Sequence, residues 1–438
     1  MNYKEFFENK KVTQLGLGLL GRGLYDALFM LQKGVDNLIV TDKKRAEDLA
    51  SSVEKLKGFN TLMLRLGEHR LEDFEGRDFI LKGAGVPLDS PFIAYAKEKG
   101  IPIEMDSSLC VKLLPEGVVT IGITGTRGKS TTTHLIAHIL RQAGKTVFVG
   151  GNVRDMATLP IVQEIKSGDM LVLELDSWQL QGFGESKISP HIAVFTTFMS
   201  DHMNYYEGDM EKYFEDKANI FKFQNENDFL VFGEGLDEPK LDTKSKRLKA
   251  CVSNVPKDWK PKIIGVHNLL NISCAIEACR VLHISEEKIK EGVESFNGVE
   301  GRLQFVKEVG GVKIWNDNNA TTPQATSAAL VSLQESGGKH TVLLCGGADK
   351  NVSLEEVAMQ MNETCKKVIL LKGTGSEKLK PLLKEFVEVD SLEEGIKKAL
   401  ECCVAGDNLL FSPMFASFGM FNNEYERNDL FLKIVNNL

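Results

Sequence analysis

The chain reads as an α/β protein of three domains. Three observations predict that class: short β-type apolar runs alternate with longer amphipathic stretches, two of those runs empty into glycine-rich loops, and turn-rich punctuation interrupts the 438 residues at two points. A chain of this length outgrows a single hydrophobic core. The expected domains are 1–115, 116–298 and 299–438, divided at Pro115-Glu116-Gly117 and near Val299-Glu300-Gly301.

A first strand is expected from Val12 to Leu17, running into Gly16-Leu17-Gly18-Leu19-Leu20-Gly21. A helix from Gly23 to Lys33 follows, then a strand from Asn37 to Thr41 that closes on Asp42. Glycines spaced G-x-G-x-x-G between strand and helix, with an acid ending the next strand, form a dinucleotide fingerprint. They permit a tight turn and close backbone approach to phosphates at a helix N-terminus. Alone, the pattern suggests a nicotinamide cofactor or a turn with no ligand.

The second domain opens with the run Val118 to Thr124 and a second loop, Gly125-Thr126-Arg127-Gly128-Lys129-Ser130-Thr131, ahead of a helix from Thr132 to Ala143. Strand, glycine loop, Lys, Ser-Thr and helix are the parts of a phosphate loop. Backbone N–H groups approach the phosphates, Lys129 reaches the β- and γ-phosphates, and Ser130 ligates magnesium. The first glycine of the general GxxxxGK[ST] pattern is absent, because Ile123 stands there. The third domain is expected to open with Val312 to Trp315, followed by strands Thr341–Cys345, Lys367–Leu371 and Asn408–Phe411.

The bulk properties exclude other classes. A net charge of −8 and a pI near 5.7 leave no electrostatic footprint for nucleic acid. Eight scattered cysteines form no CxxC pair, so reduced structural thiols are expected rather than a zinc site. The start MNYKEFFENKKV has no apolar h-region and no run of 18 apolar residues occurs, so a cytoplasmic protein without membrane insertion is expected.

Further segments complete a pattern. Gly150-Gly151-Asn152, Glu174-Leu175-Asp176-Ser177-Trp178-Gln179-Leu180, Ser200-Asp201-His202-Met203 and Tyr213-x-x-x-Lys217 follow the phosphate loop. Gly265-x-His267-Asn268-x-x-Asn271, Gly301-Arg302, Asn316-Asp317, Ala320-Thr321, Gly346-Gly347-Ala348-Asp349-Lys350 and Ser412-Pro413 with Ala416-Ser417-Phe418 come next. In order and spacing this set resembles the Mur ligase family, most closely its glutamate-adding branch, over essentially the whole chain. The resemblance implies a Rossmann-like UDP-binding domain, a central phosphate-loop ATPase-type domain and a Rossmann-like C-terminal domain. It implies an ATP-dependent amide ligase in peptidoglycan precursor synthesis, acting as a monomer on UDP-N-acetylmuramoyl-L-alanine and glutamate through an acyl phosphate, with ATP and two Mg2+ ions.

Residue roles follow from the resemblance. Lys129, Glu174, His202 and Lys217 would be catalytic, and Ser130, Glu174, His202 and a carbamylated Lys217 would hold the ions. ATP would meet Gly125 to Thr131, with Asn268, Asn271, Arg302 and Asp317 at adenine, ribose and phosphates. The UDP substrate would meet Gly16, Leu19, Leu20, Asp42, Gly85, Asn152, Ser177 and Gln179. Glutamate would meet Thr321, Lys350, Ser417 and Phe418, because a dicarboxylate demands cations and hydroxyls.

Four positions depart from the branch. Asp176 replaces a serine, Asn319 a lysine, Thr322 an asparagine, and Glu424 stands where an aromatic residue is common. An L-glutamate-adding variant and a non-catalytic nucleotide-binding homologue are the alternatives. The intact Lys129, Ser130, Glu174, His202 and Lys217 set argues against the latter. Folylpolyglutamate synthase, another ligase of the superfamily, lacks the α/β unit that here precedes the phosphate loop.

Overall fold

The computed structural model describes residues 2–19, 21–153, 157–334 and 338–438. Strand and helix alternate along the chain, and the strands assemble three sheets.

The first sheet holds β1 (Lys11–Leu15), β2 (Asn37–Asp42), β3 (Leu62–Leu66), β4 (Phe79–Lys82) and β5 (Ile103–Glu104), in the order β3-β2-β1-β4-β5. All its pairings are parallel. β1 ends two residues before the expected Leu17, because Gly16 turns out of the extended region at φ 102°. The order reverses between β1 and β4, which makes the crevice beyond their C-terminal ends the place for a ligand.

The second sheet holds β6 (Val119–Thr124), β7 (Val147–Gly151), β8 (Met170–Glu174), β9 (Ile192–Phe195), β10 (Phe229–Gly233) and β11 (Lys246–Ala250), in the order β11-β10-β9-β6-β8-β7. It too is wholly parallel. Such a sheet is covered on both faces, and β8 and β9 are accordingly buried throughout and apolar up to Glu174, which ends β8. The helix after β6 spans Lys129–Gln142, three residues earlier than expected, since Gly128 at φ 89° already turns the chain into it.

The third sheet holds β12 (Gln304–Val309), β13 (Val312–Asn316), β14 (Thr341–Gly346), β15 (Cys365–Leu371), β16 (Val387–Val389) and β17 (Asn408–Phe411), in the order β12-β13-β17-β14-β15-β16. The expectation that Val312 opens this layer is corrected: β12 precedes it as an antiparallel edge strand joined through Gly310-Gly311. β12 is half-exposed, so its apolar signal is weak, and the glycine pair is the readable cue.

The chain packs as two compact units, Met1–Val255 with Leu270–Gly292, and Pro256–Leu269 with Val293–Leu438. The first two sheets share the former, and one apolar cluster from Phe7 to Leu241 runs through both. Among the described residues no helix is long and apolar enough to cross a membrane.

Candidate active site

A cavity of about 740 Å³ opens where β1 and β4 end. Gly16, Leu19, Asp42, Gly85 and Gln179 of the expected nucleotide set line it, and Leu20 lies outside the described residues. The Asp42 carboxylate faces its own backbone: Oδ2 accepts from Leu17 N at 2.8 Å and Gly18 N at 2.9 Å, and Oδ1 from Lys44 N at 2.9 Å. Burial by itself would raise its pKa, but these N–H groups hold it below the ordinary value. Asp42 therefore shapes the glycine loop, and two loop amides expected at the diphosphate are already engaged.

Asn152 and Ser177 do not line the cavity. Asn152 Oδ1 accepts from an Arg22 guanidinium nitrogen at 2.8 Å, and Arg22 is itself a wall residue. Ser177 is buried at the start of the helix Ser177–Ser186. Asp176 caps that helix: its carboxylate accepts from Gln179 N at 2.8 Å while Gln179 Oε1 accepts from Asp176 N at 3.2 Å. The charge at this departure from the family pattern does a job a serine also does, satisfying the helix N-terminus.

The phosphate loop leaves β6 at the centre of the second sheet. A Cβ on Gly125 would lie 2.1 Å from Thr196 Oγ1, and one on Gly128 2.2 Å from Asn271 Oδ1, so neither position tolerates a side chain. Thr197 clasps the loop, its carbonyl accepting from Thr126 N at 2.8 Å and its hydroxyl from Arg127 N at 2.9 Å. Lys129 folds back, its ammonium donating to Gly125 O at 3.0 Å and Thr126 O at 3.2 Å. Asn271, expected at the adenine, packs its side chain on Gly128 of the loop. Asn268 is buried and donates to Ile264 O at 2.8 Å, beside its own helix start.

A second lysine converges on the same carbonyl. Lys217, buried on the helix Met210–Ala218, donates to Gly125 O at 3.0 Å and lies 4.9 Å from the centre of the Tyr213 ring. Burial, then the neighbouring Lys129 charge, holds its pKa well below the ordinary lysine value. Glu174 ends β8 in register with Ile123 of β6, buried at the same edge of the sheet. His202, at φ 55°, packs tilted against Trp178 with ring centres 4.8 Å apart, and its ring centre lies 6.3 Å from that of Tyr213.

Among the described residues no three His, Cys, Asp or Glu side chains converge as a metal site. Ser130 and Glu174 nonetheless offer a hydroxyl and a carboxylate, the hard oxygen donors magnesium takes. Lys217 as an amine is no ligand for that ion; only a carbamate on its nitrogen would supply oxygens.

In the second unit, the Asp317 carboxyl accepts from Leu303 N and Ser412 Oγ, both at 2.9 Å. Burial drives its pKa up to about 7 against those hydrogen bonds and Arg302. Arg302 itself is exposed. Ser417 is buried and Phe418 exposed. Thr321 precedes Thr322, which caps the helix Pro323–Ser332 through Ala325 N, as an asparagine also can. Burial lowers the Lys350 pKa while Glu424 pulls it up, so this departure places a carboxylate near the lysine expected to meet the substrate's carboxylates. Asn319 is exposed, donating weakly to Glu300 O at 3.4 Å.

Sequence reasoning missed Arg427, whose fully buried guanidinium is held by Asn318 and the Phe415 carbonyl. It also missed the wall residues Arg22, Asp26, Lys82 and Asp106. Lys82 carried a signal: a charge ending the otherwise apolar Phe79-Ile80-Leu81.

The fold and site define a phosphate-loop α/β protein with a cavity of about 740 Å³ on a neighbouring sheet. Residues 123–256 match the Mur ligase middle domain and residues 301–415 the Mur ligase glutamate ligase domain. The chain is 32% identical to a UDP-N-acetylmuramoylalanine–D-glutamate ligase of Roseiflexus sp. (strain RS-1), covering 97% of this chain and 98% of that one. It is 33% identical to the enzyme of that name from Clostridium tetani, over 100% and 98%. A MurF ligase from Thermotoga maritima in complex with ADP has the same fold, with TM-score 0.61 at 19% identity over 99% and 96% of the chains. The chain belongs to the Mur ligase family.

Proposed function

We propose that the protein is an ATP-dependent amide ligase adding D-glutamate to UDP-N-acetylmuramoyl-L-alanine in peptidoglycan precursor synthesis. The observation that carries this reading is full-length similarity to enzymes of that name, joined to an intact phosphate loop.

The alanyl carboxylate attacks the γ-phosphorus of ATP and ADP leaves. The glutamate amine then attacks the acyl carbon, inorganic phosphate departs and the amine loses a proton. Lys129, released from the Gly125 and Thr126 carbonyls, follows the transferred phosphoryl group and offsets its charge. Helix Lys129–Gln142 directs its N-terminus at the same group. Ser130 and Glu174 would hold magnesium, which neutralises phosphate charge when bound. A second ion at His202 requires Lys217 to be carbamylated: its neutral amine adds to CO2 and releases one proton. The low pKa of Lys217 supports this, since only the neutral amine reacts. In the second unit, Lys350, Thr321 and Ser417 are the groups proposed to hold the glutamate carboxylates.

Phosphate release by the purified protein with ATP, magnesium and UDP-N-acetylmuramoyl-L-alanine tests the reading. Release with D-glutamate, and its loss in Lys129→Ala and Glu174→Ala, is expected. Release with L-glutamate alone would reassign the specificity and make Glu424 and Asn319 its first suspects.

A further inference from the structure

β4 ends on a lysine that the proposed chemistry leaves unassigned. Lys82 is 1% exposed and lines the cavity beside the glycine loop, in register with Leu15 of β1. Its ammonium donates to Val86 O at 2.6 Å and Gly83 O at 3.3 Å. An ammonium has three N–H groups, so these two carbonyls leave one direction open.

Among the described residues no carboxylate forms an ion pair with Lys82. The charged groups that face it act from further away: Asp176 and Glu185 at the two ends of the helix Ser177–Ser186, Asp216 on the helix Met210–Ala218, and Lys97 on the helix Pro91–Glu98. All three acids are turned elsewhere, Asp176 to Gln179 N, Glu185 to the Lys97 ammonium, and Asp216 to Gln181 and Tyr206. A buried charge without a contact partner is costly, and such a charge beside a ligand crevice suits an incoming counter-ion. The location agrees, since open parallel sheets bind ligands where the strand order reverses.

We propose that Lys82 binds an anionic group of the nucleotide substrate in this cavity, either a diphosphate oxygen or the carboxylate at the substrate's far end. The inference rests on the ligase reading for the identity of that substrate. It carries a signature that a purely structural lysine lacks. Burial lowers the Lys82 pKa to about 8 in the free protein, and contact with an anion raises it again. Binding above pH 8 therefore takes up a proton, whereas binding below pH 7 does not. Asp26 and Asp106, carboxyls that also line the cavity, have pKa values of their own raised by burial. Any protons they exchange persist when Lys82 is replaced, so the difference between proteins isolates the lysine.

The test is titration calorimetry at pH 8.5 in two buffers of different ionisation enthalpy, with wild type and Lys82→Met. The probes are UDP-N-acetylmuramoyl-L-alanine and UDP-N-acetylglucosamine, which share the diphosphate but not the carboxylate. Wild type is expected to take up about half a proton or more on binding. Lys82→Met should take up that much less and bind at least about tenfold more weakly. Loss with both probes assigns the diphosphate, and loss with the first alone assigns the carboxylate. Equal affinity and equal proton uptake in the two proteins overturn the inference while leaving the ligase reading intact. Failure of wild type to bind either probe overturns both. If Lys82→Met does not fold, Lys82→Arg decides: restored binding without proton uptake supports the assignment, and wild-type uptake refutes it.

Discussion

Removing the Asp42 carboxylate should loosen the first glycine loop in a way that can be read residue by residue. Its two oxygens accept the Leu17, Gly18 and Lys44 amides within 2.9 Å. A hydrogen bond to a charged group contributes about 1.5–3 kcal/mol, but these three share one carboxylate and water in the cavity replaces part of the loss. A local cost of about 2–4 kcal/mol for Asp42→Ala is the reasonable figure. Amide hydrogen exchange at Leu17, Gly18 and Lys44 should then quicken about 30- to 1,000-fold, with weaker binding of UDP-N-acetylmuramoyl-L-alanine. The pH dependence has a definite sign. A carboxyl whose folded pKa lies below its unfolded value of about 3.9 stabilises fully above that value and loses the contribution as pH falls through the folded pKa. The gap between wild type and Asp42→Ala is therefore flat from pH 6 to 8 and closes only in acid, below about pH 4. Exchange within about threefold of wild type at all three amides, with unchanged substrate affinity, would refute the reasoning.

Three further outcomes are expected. Gly128→Ala forces φ 89° on a residue with a Cβ and drives that Cβ to 2.2 Å from Asn271 Oδ1. It should cost about 2 kcal/mol in a melting experiment and weaken ATP binding at least about tenfold; an unchanged melt and affinity would contradict the loop geometry. Incubation with 13C-bicarbonate should give a labelled carbamate resonance in wild type that Lys217→Gln lacks, and its absence from both would remove carbamylation from the mechanism. Asp317 is a carboxyl with a raised folded pKa, so the folded state binds the extra proton and stability falls as pH climbs from about 4 through about 7. Asp317→Asn should therefore stabilise its unit at pH 8 and lose that advantage on acidification to about pH 4; a gap independent of pH would refute the buried-acid account.

The phosphate loop was legible because it is compact in sequence. Gly125 to Thr131 forms its loop from neighbours along the chain, and the strand before it and the helix after it are readable from local pattern. The capping role of Asp176 was also on the page, as an acid three residues before Gln179 at a helix start. For Asp42 the acid ending a second strand suggested a ligand contact; the fold sets it in the cavity wall and also turns its carboxylate onto the loop's own amides, which the sequence did not show.

The sequence by itself determined the alternation of strand and helix, the two glycine loops, the phosphate-loop lysine and the family to which the order of motifs belongs. These depend on residues within a turn or two of each other, whose steric and hydrogen-bonding preferences act locally. Only the tertiary structure decided that Lys129 and Lys217 share one carbonyl, that Asn271 closes on Gly128, and that Lys82 lies buried beside the first glycine loop. Those facts join segments tens to more than a hundred residues apart. Burial and charge act through space, so no local pattern along the chain could record them.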